Sequence, residues 1–236
     1  MAAEFIFDKR ERAEERAIGR AAFILTLREQ AIMDTDLLRA MELVPREIFA
    51  PLRFRDLAHL DIALPLLCGQ TMTSPLSVAH MLLALKPEPG STVLEIGTGS
   101  GYVSALLVQL GCYVVTVERH SGLKEMAEAT IAAVDFSQCV EFQLGNGLIR
   151  RLRGTYFDYI LLNGSLLSIP DTLIALLKPK GRLVGALTTS EGLPKLVIIE
   201  RQEDKQFKTE EGRTLRLTKL LEDGIEHHTE SNTNYL

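Results

Sequence analysis

Two acids and three glycines carry the clearest chemical potential in this chain. Glu95 lies in the apolar run Val93-Leu94-Glu95-Ile96, and Gly97, Gly99 and Gly101 follow at alternate positions. Glu118 closes the next apolar run, Tyr113-Val114-Val115-Thr116-Val117. Strand, glycine turn and helix is how an α/β chain makes an anion-friendly pocket at the carboxyl edge of its sheet. Glycine lets the turn take positive φ and lets a ligand come close to the backbone.

The spacing selects the ligand. A dinucleotide fingerprint reads G-x-G-x-x-G, whereas this loop reads G-x-G-x-G with Glu95 two residues ahead of it. A carboxylate there repels a pyrophosphate and suits a cationic ligand with an amino-acid end. S-adenosylmethionine (SAM) has that chemistry. An acid at the end of the second strand, where Glu118 stands, is placed to grip a ribose diol. The plainer alternative is a tight turn whose glycines serve packing alone.

A polar loop stands just upstream: Gly69, Gln70, Thr71, Thr73 and Ser74 lie between Pro65 and Pro75. Its position allows it to lie over the cofactor; the plainer alternative is that its hydroxyls merely cap the next helix. Pro75 can open a helix through Val78, Met81, Leu82 and Leu85, capped by Ser74 or Thr73. The five histidines, His59, His80, His120, His227 and His228, show no metal-ligand spacing. No metal is expected.

The elements that must hold these residues alternate. Helical patterns cover 8–33 and then Leu37 to Leu43, with Asp34 as a cap for the second. After Glu118 come a helix from Leu123 to Val134, a strand at Cys139–Phe142 ending in Gly145-Asn146-Gly147, and a strand at Phe157–Leu162. A helix from Pro170 to Leu177, a turn at Lys178–Gly181 and a strand at Arg182–Gly185 follow. Leu196–Ile199 and Thr214–Leu217 read as a closing antiparallel pair. Such βα alternation predicts an α/β fold with a doubly wound parallel sheet, one late strand running antiparallel. The expected organisation is a helical cap and active-site loop at 1–90, a nucleotide-binding core at 91–221 and a polar tail at 222–236, together forming one structural unit.

Composition excludes several partners. A formal net charge of −5 argues against a protein built to neutralise nucleic-acid phosphates. The cluster Arg150, Arg151 and Arg153 reads as a solvated helix face. Cys68, Cys112 and Cys139 are far apart with no C-x-x-C, which fits a reducing compartment. No apolar run reaches membrane-spanning length, and the N-terminus lacks a signal-peptide core. The expectation is a cytoplasmic monomer with neither nucleic-acid nor membrane partner.

Three motifs occur in order: Val44-Pro45-Arg46-Glu47-Ile48-Phe49, then Gly69-Gln70-Thr71-Met72-Thr73-Ser74-Pro75, then Val93-Leu94-Glu95-Ile96-Gly97-Thr98-Gly99-Ser100-Gly101-Tyr102. Over roughly residues 25–200 the chain resembles the protein-L-isoaspartate O-methyltransferase family. The resemblance implies a seven-stranded, Rossmann-like SAM-methyltransferase sheet with an N-terminal helical cap. It also implies methylation of the free α-carboxylate of L-isoaspartyl residues in damaged proteins, a repair reaction that releases S-adenosyl-L-homocysteine (SAH).

Carried over by position, Glu95, Gly97, Thr98, Gly99, Ser100 and Gly101 would hold the methionine end of SAM, and Glu118 its ribose. Asn146 stands beside Gly147, near the adenine, where the family has Asp. Thr73 replaces the usual active-site serine and is the candidate catalytic residue. Gln70, Thr71 and Ser74 would meet the isoaspartyl peptide. Two departures border the substrate side. Asn163-Gly164-Ser165 stands where the family has a T-A-A-type segment, and a C-terminal F-V-P-L stretch is missing, with Arg213-Thr214-Leu215-Arg216-Leu217 near that place. A different carboxylate acceptor, or a non-catalytic SAM-fold binding module, are the competing readings.

Overall fold

The computed structural model describes residues 17–149, 155–188, 192–204 and 206–220. The tail at 222–236, the cluster Arg150, Arg151 and Arg153, and residues 8–16 of the expected first helix lie outside them.

Helix α1 is described over 17–29. Helix α2 (Thr35–Leu43) starts where expected, with Asp34 Oδ1 accepting the Leu37 amide at 2.8 Å. The short α3 (Arg46–Phe49) begins after Pro45, which lacks an amide hydrogen and has its φ preset for a helix start. The polar loop forms a small antiparallel pair, β1 (Leu64–Pro65) and β2 (Thr71–Met72), and leads into α4 (Pro75–Leu85). Ser74 occupies the N-cap position of α4, but its hydroxyl donates to Ser77 Oγ at 3.1 Å. Asp61 supplies the cap instead, accepting the Leu76 amide at 2.9 Å.

The central elements are β3 (Thr92–Ile96), α5 (Tyr102–Gln109), β4 (Tyr113–Glu118), α6 (Ser121–Ala133), β5 (Val140–Leu144) and β6 (Phe157–Leu166). The chain continues through α7 (Asp171–Ile174), β7 (Leu177–Leu187), β8 (Lys195–Arg201) and β9 (Phe207–Thr214). β3 to β9 form one seven-stranded sheet in the order β5-β4-β3-β6-β7-β8-β9. The strands from β5 to β7 pair in parallel, β8 runs against them, and β9 turns back again.

Strand parity divides the core. Val93, Leu161, Val184 and Leu196 face the helical cap, α4, α5 and α6, whereas Leu94, Ile160, Leu183 and Val197 pack on the opposite face with Leu173 of α7. After β3 the chain winds outward through β4 and β5, then returns to place β6 on the other side of β3. That reversal opens a crevice at the carboxyl ends of β3 and β6, the usual ligand position in open α/β sheets.

Three local expectations change. The helix expected over Pro170–Leu177 is only four residues long, because Leu177 already pairs with Phe157 as part of the sheet. The turn expected at Lys178–Gly181 is an irregularity inside β7, with Lys180 at φ +64°, where pairing jumps from Phe157↔Leu177 to Tyr159↔Arg182. The last strand lies at 207–214, not 214–217. It is a sheet edge exposed at all eight positions, so it carries no apolar run to mark it. Leu215 leaves the edge and is buried.

Candidate functional site

The glycine turn is built as its spacing requires. Gly97, Gly99 and Gly101 have φ of +93°, +57° and +83°, values that L side chains rarely adopt. The Gly97 amide donates to Val117 O at 2.9 Å, holding the loop against the end of β4. Glu118 holds it from the other side: Oε2 accepts the Gly99 amide at 2.9 Å, and Oε1 accepts the Arg119 and His120 amides at 2.9 and 3.0 Å. Three backbone donors fix this carboxylate, and its remaining lone pairs suit a diol.

Gly97, Gly99 and Glu118 line an open cleft. Asn146 and Gly147 line it too; Asn146 Oδ1 accepts the Leu148 amide at 3.0 Å, tightening that turn. Gln70, Thr71 and Thr73 line the same space. Some of the residues expected to hold the cofactor and some of those expected to meet the acceptor therefore share one cleft.

Glu95, Thr98, Ser100, Gly101 and Ser74 do not line it. Glu95 shares a strand face with Val93, so its carboxylate points beneath α5, fully buried. There it accepts from Ser104 Oγ and, at 2.9 Å, from Thr116 Oγ1. Thr116 also bonds the Thr98 hydroxyl at 2.6 Å. Burial pushes the Glu95 carboxyl up to about 7, against the opposing effect of the Ser104 and Thr116 bonds. Ser100 Oγ accepts the Tyr102 amide at 3.4 Å, and Gly101 packs against Ala127 of α6. These residues brace the loop from behind.

Several residues enter the site from far along the chain. Asn163 Nδ2 donates to Gly97 O at 3.0 Å, and its Oδ1 accepts from Thr73 Oγ1 at 3.3 Å. The segment after β9 crosses back over the sheet: Ser165 donates to Thr218 O at 2.9 Å, and Leu220 donates to Ser165 O at 2.8 Å. This brings Thr218, Lys219 and Leu220 to the cleft and bonds the Thr218 hydroxyl to that of Thr71. The unusual Asn163-Gly164-Ser165 signalled this region in the sequence; nothing there marked Thr218 or Leu220.

A family model for protein-L-isoaspartate(D-aspartate) O-methyltransferase matches residues 19–222. The chain belongs to that family. A protein-L-isoaspartate O-methyltransferase 2 of Rhodopseudomonas palustris is 41% identical over 183 residues, covering 77% of this chain and 83% of the relative. A protein-L-isoaspartate O-methyltransferase of Xanthobacter autotrophicus is 40% identical over 198 residues, covering 84% and 90%. In solved structures, a Plasmodium falciparum protein crystallised with SAH superposes with a TM-score of 0.72 at 19% identity, over 86% of this chain and 98% of the other. That likeness shows the shared methyltransferase fold.

The cap joins the family's motifs physically. Phe49, at the end of the V-P-R-x-x-F motif, lies with its ring 5.6 Å from that of Tyr102, at the end of the glycine motif. Among the described residues no helix is long and apolar enough to cross a membrane, and no group of acids, cysteines and histidines is arranged to hold a metal.

Proposed function

We propose that this chain transfers a methyl group from SAM to the free carboxylate of L-isoaspartyl residues in damaged proteins. The observation that carries the reading is the meeting of Thr73 with the glycine loop, across Asn163, in one cleft. SAM, when bound, supplies a methyl group activated by its sulfonium. A carboxylate acceptor is ionised at neutral pH, so no side chain has to remove a proton from it. Alignment is then the chief task of the protein, and it can supply roughly 7–11 kcal/mol in well-ordered cases.

The residues divide that task. Glu118 takes the ribose hydroxyls, Gly97 and Gly99 admit the methionine end close to the backbone, and Asn146 with Gly147 receives the adenine. Thr73, Thr71 and Gln70 offer hydroxyl and amide donors to the acceptor. Glu95, Thr98, Ser100 and Gly101 hold the glycine loop in shape, and Ser74 bonds Ser77 within the first turn of α4. The reading includes a cytoplasmic monomer without nucleic-acid partners, supported by the net charge of −5 and three scattered cysteines. It also treats 1–90 and 91–221 as one unit, supported by the Phe49–Tyr102 contact.

A second reading keeps the chemistry and changes the carboxylate acceptor. The acceptor rim built from Asn163 and Thr218 favours it. The test is methyl transfer from labelled SAM to paired peptides, one with L-isoaspartyl and one with normal aspartyl. Base-labile label on the isoaspartyl peptide alone is the expected result. SAM binding without transfer to either peptide would move the assignment to another acceptor. Failure to bind SAM would leave a binding scaffold.

A further inference from the structure

Asn163 bridges two loops whose contact no local signal specifies. A carbonyl oxygen only accepts, so the Asn163 amide has a single orientation that satisfies Gly97 O: nitrogen toward the glycine loop, at 3.0 Å. Its oxygen then faces Thr73 Oγ1 at 3.3 Å, and because that oxygen also only accepts, the Thr73 hydroxyl must donate. Gly97 stands at φ +93° in the wall of the nucleotide cleft, and Thr73 stands in the acceptor wall. Movement of the Gly97 carbonyl on one side therefore reaches the Thr73 hydroxyl on the other through one rigid, planar amide. The backbone of Thr73 is anchored independently, its carbonyl accepting from Arg46 Nη2 at 3.1 Å. The side chain is thus the free variable of that residue.

We propose that Asn163 is a positioning residue that couples occupancy of the nucleotide cleft to the order of the acceptor loop, residues 70–74, by tying Gly97 O to Thr73 Oγ1. With SAM seated, the glycine loop stiffens, Asn163 stops exchanging, and the Thr73 hydroxyl is held where an incoming carboxylate can accept its hydrogen bond in place of Asn163 Oδ1. The long 3.3 Å bond is weak enough to be exchanged for that stronger charged acceptor. Binding order follows: the donor prepares the loop that receives the acceptor.

The coupling rests on the SAM reading above, so the experiment begins with SAH titration of the full chain and its variants. Amide hydrogen exchange is then followed at residues 70–74 and 97–101, with and without saturating SAH. In the wild type SAH slows exchange in both loops, by about fivefold or more at 70–74, the size of an ordinary coupling between sites. In Asn163→Ala SAH still slows 97–101, but the effect at 70–74 is lost. Thr73→Val, nearly isosteric with Thr, cuts the other arm of the bridge and produces the same loss. It serves as the independent variant if Asn163→Ala does not fold.

Kinetics supply the second readout. With Thr73→Val in place, adding Asn163→Ala lowers kcat/KM for the isoaspartyl peptide by less than about twofold further, because both changes break one unit. Undiminished protection of 70–74 in both variants overturns the coupling and points to transmission through Thr218. Fully multiplicative kinetic losses overturn it as well. Failure of the wild type to bind SAH would remove the SAM reading and the coupling together, whereas SAH binding with unchanged loop behaviour removes the coupling alone.

Discussion

The Arg46 guanidinium donates to the Thr73 carbonyl at 3.1 Å, across 27 residues of chain. It also donates to Ala58 O at 2.9 Å and Ile62 O at 3.0 Å. A buried cation is thereby spread over three carbonyls, and burial holds its pKa down to about 10 against the opposing influence of Tyr102 and Asp61. This is the physical content of the V-P-R motif: the arginine fastens the acceptor loop to the cap.

Arg46→Ala takes the donor from three carbonyls, that of the buried Ala58 among them, and is expected to cost roughly 3 kcal/mol of stability, read by urea unfolding. Arg46→Lys keeps a charge but not the fork that reaches several oxygens at once. It should lose less stability while still raising the KM for peptide. An unfolding midpoint unchanged in Arg46→Ala would contradict the fastening role.

Glu118 is held by three backbone amides. Glu118→Gln turns an amide nitrogen toward one of those donors and removes the charge that, in the proposed site, the ribose hydroxyls meet. SAH affinity should fall by about tenfold to a hundredfold, measured by calorimetry. Affinity within about twofold of wild type would place the ribose elsewhere.

Glu95 makes stability depend on pH. Its folded carboxyl titrates near 7 because of burial, while an exposed glutamate titrates near 4.3. Between those values the folded state binds the proton that the unfolded chain has released. Its stabilising contribution is therefore complete below about pH 4 and is lost as pH rises through about 7. Glu95→Gln removes this dependence. Relative to wild type, the variant should gain stability from about pH 5 to about pH 8, followed by thermal unfolding at several pH values. Parallel profiles for the two proteins would show that the carboxyl stays ionised.

Gly164 admits the returning C-terminal segment. A Cβ at this position would lie 2.7 Å from Leu220 Cγ and 2.9 Å from Thr218 O. Gly164→Ala should push residues 218–220 off the end of β6, break the Thr71–Thr218 hydroxyl contact and raise the peptide KM by roughly fivefold. SAH affinity should change less than peptide KM. Equal loss in both would mean that the segment serves the nucleotide side.

The glycine turn and its contact with Glu118, the nucleotide half of the proposed site, were legible in the sequence because they are local. Gly97, Gly99 and Gly101 make one turn, and Glu118 ends the neighbouring parallel strand, so spacing alone brought them together. The polar loop at 69–75 was legible for a similar reason, standing just ahead of α4 and β3. Even here, residue type did not decide direction. Glu95 belongs to the motif, yet strand parity turns it under α5, where it braces the loop through Thr116 and Thr98. Ser74 has the cap position of α4, yet Asp61 makes the bond.

Tertiary structure alone decided what surrounds Thr71 and Thr73, on the proposed acceptor side. Asn163 reaches Thr73 and Gly97 only because β6 returns to lie beside β3 after the chain has wound through β4 and β5. Thr218 and Leu220 arrive from beyond an edge strand whose exposed residues give no period to read. Local spacing dictates turns and strand ends because their geometry spans a few bonds. Contacts between Thr71 and Thr218, or Asn163 and Gly97, depend on how separate strands stack, and that is settled by burial across the whole sheet.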